Sequence, residues 1–264
     1  MHAPAPRLHE IWPGKNSFCC GGRFITGPSS DVGYSICLLM FINICPIGFL
    51  AWVSPRLGAE SPIVWAVPIL WVLCMSSYAL VTLTDPGFIP RRSVMLSLGE
   101  EPPKGLSDEL RAQGYKWCET CENIRPPRAS HCSDCDNCVL RFDHHCPFVR
   151  NCVGARNFVF FQFMLVSGVG LGATIISGLI ISMNGGSGTS TLIWYCCGIP
   201  LLVLVSIAAG FCCFHMYLVW SGKTTKEVWR GSPGIPVDES CWNRPKSLLP
   251  PFTTPVLDLN RLSA

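Results

Sequence analysis

The sequence predicts an all-α integral membrane protein: four transmembrane helices, with a cytosolic Cys/His-rich zinc module of short hairpins and loops between helices two and three. Three observations predict it. Hydrophobic residues make up 49% of the chain and charged residues only 14%, against roughly 25% charged in soluble domains. Asp, Glu, Lys and Arg are absent from four long segments, Val32 to Val53, Ile63 to Leu83, Phe158 to Met183 and Leu192 to Val219. Between the second and third of these, residues 117–157 carry seven cysteines and three histidines.

Each charge-free segment exceeds the ~20 helical residues needed to cross ~30 Å of hydrocarbon. A buried helix of a soluble protein is normally shorter and keeps a polar face. The first segment starts some thirty residues in, is too long for a signal-peptide core and is soon followed by another span, so it reads as an uncleaved anchor. Residues 1–31, rich in Pro, Gly and Ser, read as an irregular cytosolic arm. Cys19 and Cys20 in that arm fit either inert thiols or reversible S-acylation.

Residues 32–90 hold helices one and two. Asn43, Pro46 and Pro68 within them read as kinks or interhelical hydrogen bonds, and Trp52 and Trp65 flank the short loop as interfacial anchors. Asp85-Pro86-Gly87 stops the second helix and turns the chain. Residues 91–116 form a polar linker in which the Ser107 hydroxyl can cap a short helix. Residues 158–220 hold helices three and four. Gly168, Gly170, Gly172 and Ala173 fit close packing or a cavity lining, and Cys212, Cys213 and His215 near the end of the last span read as structural. Residues 221–264 form a cytosolic tail.

Lys and Arg set the orientation. Ten basic residues lie between Arg91 and Arg156 and six in the tail, whereas the first hairpin loop has only Arg56 and the last has none. Both termini and the central loop are therefore expected in the cytosol. A net charge of +3 is too small to imply nucleic acid.

In a reducing cytosol, dense cysteines point to metal or catalysis, not to disulfides. The module reads Cys118-x2-Cys121, His131-Cys132, Cys132-x2-Cys135-x2-Cys138, His144-His145-Cys146 and Cys152. Paired cysteines two apart aim two thiolates at one tetrahedral zinc. Ten potential ligands exceed by two the eight that two closed sites consume. His144 and Cys146 are the natural surplus, because Asp143 beside them can orient a histidine that deprotonates a thiol. The same count also allows a module that is structural throughout and binds a partner.

The run from Cys118 to Asn157, C-x2-C-x3-R-P-P-R-x2-H-C-x2-C-x2-C-x4-D-H-H-C-P-F-x2-N-C-x-G-x2-N, closely resembles the DHHC family of protein S-acyltransferases, or palmitoyltransferases. Asp85-Pro86-Gly87 and Thr224-Thr225-Lys226-Glu227 resemble two further family motifs. The resemblance implies one zinc on Cys118, Cys121, His131 and Cys138, and a second on Cys132, Cys135, His145 and Cys152. It implies that Cys146 takes a long acyl chain, such as palmitoyl, from acyl-CoA and passes it to cysteines of membrane-associated proteins. His144 would act as base, Asp143 would polarise it, and Thr225 would contact Asp143, with Asp85 in support. Lys116, Arg125, Arg128 and Arg150 are candidates for the CoA phosphates. Phe148 stands where the family usually has Trp, near the acyl chain. The family's Asn- and aromatic-containing C-terminal element is not evident, with Trp242 or Phe252 as substitutes.

An endomembrane or plasma-membrane acyltransferase is thus expected. The reading from a different class is a non-catalytic zinc-module membrane adaptor. A channel or transporter fits poorly, since His215 is the one ionisable Asp, Glu, Lys, Arg or His side chain within any span.

Overall fold

A computed structural model describes residues 8–183 and 188–231. In chain order the described elements are strands β1 (Ser17–Cys19) and β2 (Phe24–Thr26), then helices α1 (Val32–Gly48), α2 (Ser54–Leu57) and α3 (Pro62–Leu83). Strand β3 (Phe88–Ile89) and the short helices α4 (Arg92–Ser97) and α5 (Asp108–Ala112) follow. Six strands come next: β4 (Lys116–Cys118), β5 (Asn123–Arg125), β6 (Ser130–Cys132), β7 (Asn137–Val139), β8 (His144–Cys146) and β9 (Asn151–Val153). Helices α6 (Phe158–Met183), α7 (Gly188–Ile193), α8 (Ile199–Ser221) and α9 (Thr225–Trp229) follow, and short 3-10 or π turns lie between some of these elements. The Trp242 and Phe252 expectation lies outside the described residues.

The chain divides into two compact units. The helical unit, 33–81 and 159–220, contains four stretches long and apolar enough to cross a membrane, Ser29–Leu57, Pro62–Leu83, Phe158–Met183 and Thr191–Ser221, each running a residue or more beyond the unit at one end. The third buries 44% of its apolar window, against 17%, 17% and 11% for the others, so α6 is the central helix. Phe49, Val53, Val67, Leu171, Ile175, Ile176, Leu179 and Leu201 form the core of this unit.

The small residues of α6 serve both predicted purposes. A Cβ on Gly172 would stand 2.3 Å from Val205 Cγ2, and one on Gly178 would stand 2.5 Å from the Phe49 ring. Gly168 and Gly172 also line an apolar cavity of about 160 Å³. A second cavity of about 360 Å³ is lined by Phe49, Trp52 and Val53 from one π turn and Cys197 from another. The first π turn, Phe49–Val53, follows Pro46, whose missing N–H disturbs the regular helical ladder. Asn43 bonds back to the Leu39 carbonyl at 2.7 Å. His215 is fully buried, with Nδ1 3.3 Å from Gln162 Nε2 and edge-on rings of Phe161, Phe211 and Phe214 around it.

The second unit gathers 1–32, 82–158 and 221–264, described over 8–32, 82–158 and 221–231. Its sheets are small: the hairpins β1–β2, β4–β5 and β8–β9, and a three-stranded sheet ordered β3-β7-β6. Ligand cysteines make up much of its core. Cys132, Cys135 and Cys152 pack with Ile25, Phe88 and Val139, and Cys118, Cys121 and Cys138 pack against Ile89. So few apolar residues need staples to hold a fold.

Two features of this unit differ from the sequence reading. Residues 1–31, read as an irregular arm, contain the β1–β2 hairpin, and Trp12, Phe18 and Ile25 pack on the ligand cysteines. Three-residue strands are too short to reveal a period of two. Asp85-Pro86-Gly87 also does more than stop a helix. Asp85 Oδ1 accepts from the Gly87 and Phe88 N–H groups at 2.8 and 2.9 Å, which turns the chain so that β3 joins β7. Its other oxygen pairs with Arg156 at 2.6 Å. The Ser107 cap is present, accepting from Leu110 N at 3.3 Å.

Candidate active site and zinc centres

Alternation along a strand divides the ligands. Successive side chains of β8 point to opposite faces, so His145 faces one way and its neighbours His144 and Cys146 face the other. The register sets Cys152 opposite His145, and these two belong to one cluster with Cys132 and Cys135. The β6–β7 hairpin repeats the device. His131 lies opposite Cys138, in a cluster with Cys118 and Cys121. Cys132, next along β6, belongs to the other set.

Glu122 and Asp136, each directly after the second cysteine of a C-x2-C pair, have positive φ of 47° and 54°. That left-handed residue turns the knuckle back on itself.

Both clusters fit zinc. In each, the four ligand atoms lie within 4.8 Å of one another. His131 Nδ1 is 3.8, 3.4 and 3.9 Å from the sulfurs of Cys118, Cys121 and Cys138. His145 Nδ1 is 3.5 Å from Cys135 and 3.5 Å from Cys152, whose sulfurs are 3.5 Å apart. A tetrahedron with Zn–S near ~2.3 Å and Zn–N near ~2.0 Å has edges of roughly 3.5–3.8 Å. Each histidine also has a carboxylate behind it. Asp136 is 3.5 Å from His131 Nε2, and Asp31 is 2.8 Å from His145 Nε2.

The surplus pair sits with Asp143, whose carboxylate is almost fully buried at 2% exposure. His144 Nδ1 lies 2.6 Å from Asp143 Oδ2. The Thr225 N–H donates to Asp143 Oδ1 at 2.8 Å, and its hydroxyl donates to Oδ2 at 2.7 Å. His144 also lies close enough to Cys146 for each group to shift the other's protonation.

Burial raises the Asp143 carboxyl, but the bonds from His144 and Thr225 outweigh it and hold the group below its usual range. Burial also pulls His144 down, yet Asp143 and Cys146 push it up to about 9. For Cys146 burial is again the largest opposing influence. His144 and the backbone N–H groups of Val149 and Phe148 prevail and leave the thiol more acidic than usual. Both shifts act in the same direction, towards moving the thiol proton onto the imidazole, and the thiolate is the nucleophilic form of cysteine.

Thr225 is delivered by a folded tail segment. Thr224 caps α9, accepting from Glu227 N at 3.2 Å, while Glu227 Oε2 accepts from Thr224 N at 2.8 Å, a complete capping box. The same Glu227 carboxylate takes two bonds from Arg128, Nε to Oε1 at 2.7 Å and Nη2 to Oε2 at 2.8 Å. Arg128 also donates to the Gly222 carbonyl at 2.7 Å, and its side chain is only 5% exposed. Arg128, expected from the sequence as a candidate for a CoA phosphate, thus directs Nε and Nη2 at α9 and the Gly222 carbonyl.

The other candidate cations are placed differently. Lys116 is exposed and pairs across β4–β5 with Arg125, whose Nη2 donates to the Trp117 carbonyl at 3.0 Å. Arg150 follows the turn after Cys146 with φ 48°, and its Nε donates to the Pro28 carbonyl at 3.3 Å. Phe148 is half exposed.

Asp31, Asn151 and Arg128 in its observed role escaped the sequence reading. Asn151, opposite Cys146 in the register, is fully buried. Its Nδ2 donates to the Thr82 and Thr84 carbonyls, both at 3.0 Å, and its Oδ1 accepts from Cys152 N at 2.9 Å. A Thr-x-x-Glu capping signature was available in the tail, but no local signal pairs Glu227 with Arg128.

Comparison with known proteins adds an independent finding. The family model for the DHHC palmitoyltransferase matches residues 111–232. "Palmitoyltransferase ZDHHC18" of Homo sapiens is 34% identical over 252 residues, which cover 86% of this chain and 64% of the relative. "Probable protein S-acyltransferase 3" of Arabidopsis thaliana is 32% identical over 261 residues, 87% of this chain and 63% of the relative. "Palmitoyltransferase ZDHHC9" of Bos taurus is 31% identical over 260 residues, 86% of this chain and 69% of the relative. The chain thus spans about two thirds of the length of the curated relatives it matches.

Proposed function

The chain belongs to the DHHC palmitoyltransferase family, and from that premise we propose that it is a protein S-acyltransferase that carries a long acyl chain on Cys146. The observation that carries this reading is the relay from Thr225 through Asp143 and His144 to Cys146. Asp143 fixes the ring so that Nδ1 faces the carboxylate and Nε2 serves the sulfur.

In the first half-reaction the Cys146 thiolate attacks the carbonyl carbon of the acyl-CoA thioester. The bond to the CoA sulfur breaks, and His144 gives its proton to the departing thiolate. In the second, neutral His144 takes the proton of a target cysteine, whose sulfur attacks acyl-Cys146. The Cys146 thiolate leaves, and the imidazolium–thiolate pair is restored. One thioester replaces another at each step, so little free energy is at stake and the protein need only supply a nucleophile and a proton store. Zinc, when bound, closes the two four-ligand sites and holds β6–β9 in register.

The substrates follow from this chemistry: fatty acyl-CoA, and membrane-associated proteins with cytosolic cysteines. The apolar cavities of the helical unit suit a hydrocarbon chain. Lys116, Arg125 and Arg150 are the proposed phosphate contacts, and Phe148 offers an aromatic face to the acyl chain. The protein would reside in an endomembrane or the plasma membrane, with both termini and the zinc module in the cytosol, a reading supported by the distribution of Lys and Arg.

The test is incubation of the purified chain with labelled palmitoyl-CoA. Hydroxylamine-sensitive label is expected on the wild type and not on Cys146→Ser. Equal label on both proteins would leave the membrane-adaptor reading in its place.

A further inference from the structure

The second zinc cluster does not end with its four ligands. We propose that Asp31, the last residue before α1, is the positioning residue of the second zinc site, and that residues 12–31 are a clasp belonging to that site. The proposal rests on the reading of the two clusters as zinc centres and not on the acyl-transfer reading.

His145 presents Nδ1 to a metal when the other ring nitrogen carries the proton, and a ligating histidine almost always donates that N–H to an acceptor. Asp31 Oδ2 is that acceptor, 2.8 Å from Nε2 and 114 residues away in the chain. Both side chains are nearly buried, at 11% and 9% exposure. Among the described residues the other Asp31 oxygen meets only its neighbour, the Ser30 hydroxyl, at 3.3 Å. A buried carboxylate without strong partners is costly, so its place here is explained by the histidine it faces. The first site needs no such help from afar, because Asp136 lies in the turn of the same β6–β7 hairpin that carries His131.

The rest of the segment is fastened to the same site. The Lys15 N–H donates to the carbonyl of the ligand Cys135 at 3.0 Å. Asn137 Nδ2 donates to Asn16 Oδ1 at 2.6 Å. A Cβ on Gly14 would stand 1.9 Å from that same Nδ2, so the Gly14 backbone lies directly against the Asn137 side chain. Ile25, 1% exposed, packs with Cys132, Cys135 and Cys152. The Gly27 N–H donates to the Arg150 carbonyl at 2.6 Å, which ties the clasp to the turn that follows Cys146.

The experiment uses the full chain, purified with zinc. A chelator is added, and at each time point exposed thiols are alkylated and located by mass spectrometry. In the wild type all six ligand cysteines should be alkylated slowly. In Asp31→Ala, alkylation of Cys132, Cys135 and Cys152 should accelerate about 10–100-fold, the usual penalty for losing such a partner. Cys118, Cys121 and Cys138 should keep the wild-type rate. Asp31→Asn, which keeps an acceptor oxygen without the charge, should fall between.

Wild-type rates at all six cysteines in both variants would overturn the proposal, as would equal acceleration at all six in Asp31→Asn. A wild-type chain whose six cysteines react at once, without chelator, would overturn it together with the zinc reading. An inactive protein with the expected alkylation pattern would instead count only against acyl transfer.

Discussion

Arg128 and Glu227 are 99 residues apart in the chain, and they meet in a two-pronged ion pair with contacts of 2.7 and 2.8 Å. The pair holds α9 where Thr225 can donate twice to Asp143. Its two side chains are 5% and 16% exposed, and removing one partner of such a buried pair costs about 3–5 kcal/mol. Arg128→Ala and Glu227→Ala should each lower autoacylation by at least about tenfold, and the double variant should do little further harm because both break one contact. Arg128→Lys should not restore the rate, since an ammonium cannot reproduce the fork. Autoacylation rates measured alongside zinc content check this.

In the proposed relay Asp143 acts through His144, whose Nδ1 lies 2.6 Å from its carboxylate. Asp143→Asn preserves the shape but loses the carboxylate that fixes the ring, and by analogy with other triads the rate should fall by about 10³–10⁴-fold. Thr225→Ala removes one hydroxyl bond to a charged group, worth roughly 1.5–3 kcal/mol, so a loss on the order of ten- to hundredfold is expected. Thr225→Ser should recover most of it. Single-turnover acylation kinetics distinguish the three variants.

Two adjacent histidines should fail in different ways. His144→Ala should keep both zinc ions and lose acylation. His145→Ala should lose one zinc ion and, with it, the order of the β8–β9 hairpin. Metal analysis of each purified variant reads the difference directly. Equal zinc loss in both would contradict the division of β8 into a catalytic and a metal-binding face.

Asn151 satisfies three backbone groups from a fully buried position. Asn151→Ala leaves them unpaired at about 1–3 kcal/mol each, so a marked drop in thermal stability is expected, measured by a melting assay in detergent. Gly154→Ala should be at least as damaging. Its Cβ would fall 2.6 Å from the Pro86 carbonyl oxygen and 3.0 Å from that of Leu140, and neither backbone group can step aside.

How much of this was legible in the sequence depends on the range over which each feature acts. The spans could be read because twenty or more apolar residues in a row are a local property. The zinc ligands could be read because C-x2-C spacing is local too. Counting then showed that one His and one Cys were surplus, and alternation along His144-His145-Cys146 gives the physical reason for which ones. Asp31 and Arg128 could not be assigned this way, because their partners lie 114 and 99 residues away. A single Asp or Arg in a loop carries no mark of such a partner. The β1–β2 hairpin was missed for the opposite reason, that its strands are too short to display any period.

The central claim is that Cys146 carries the acyl group between two thioesters. It is tested most directly by loading the purified enzyme once with labelled palmitoyl-CoA, removing the excess, and adding an acceptor peptide with a single cysteine. Peptide mapping before the chase should place the adduct on the peptide containing Cys146, and after it the label should move to the acceptor while Cys146 is freed. Label found on other cysteines, or label on Cys146 that the acceptor cannot discharge, would contradict the account.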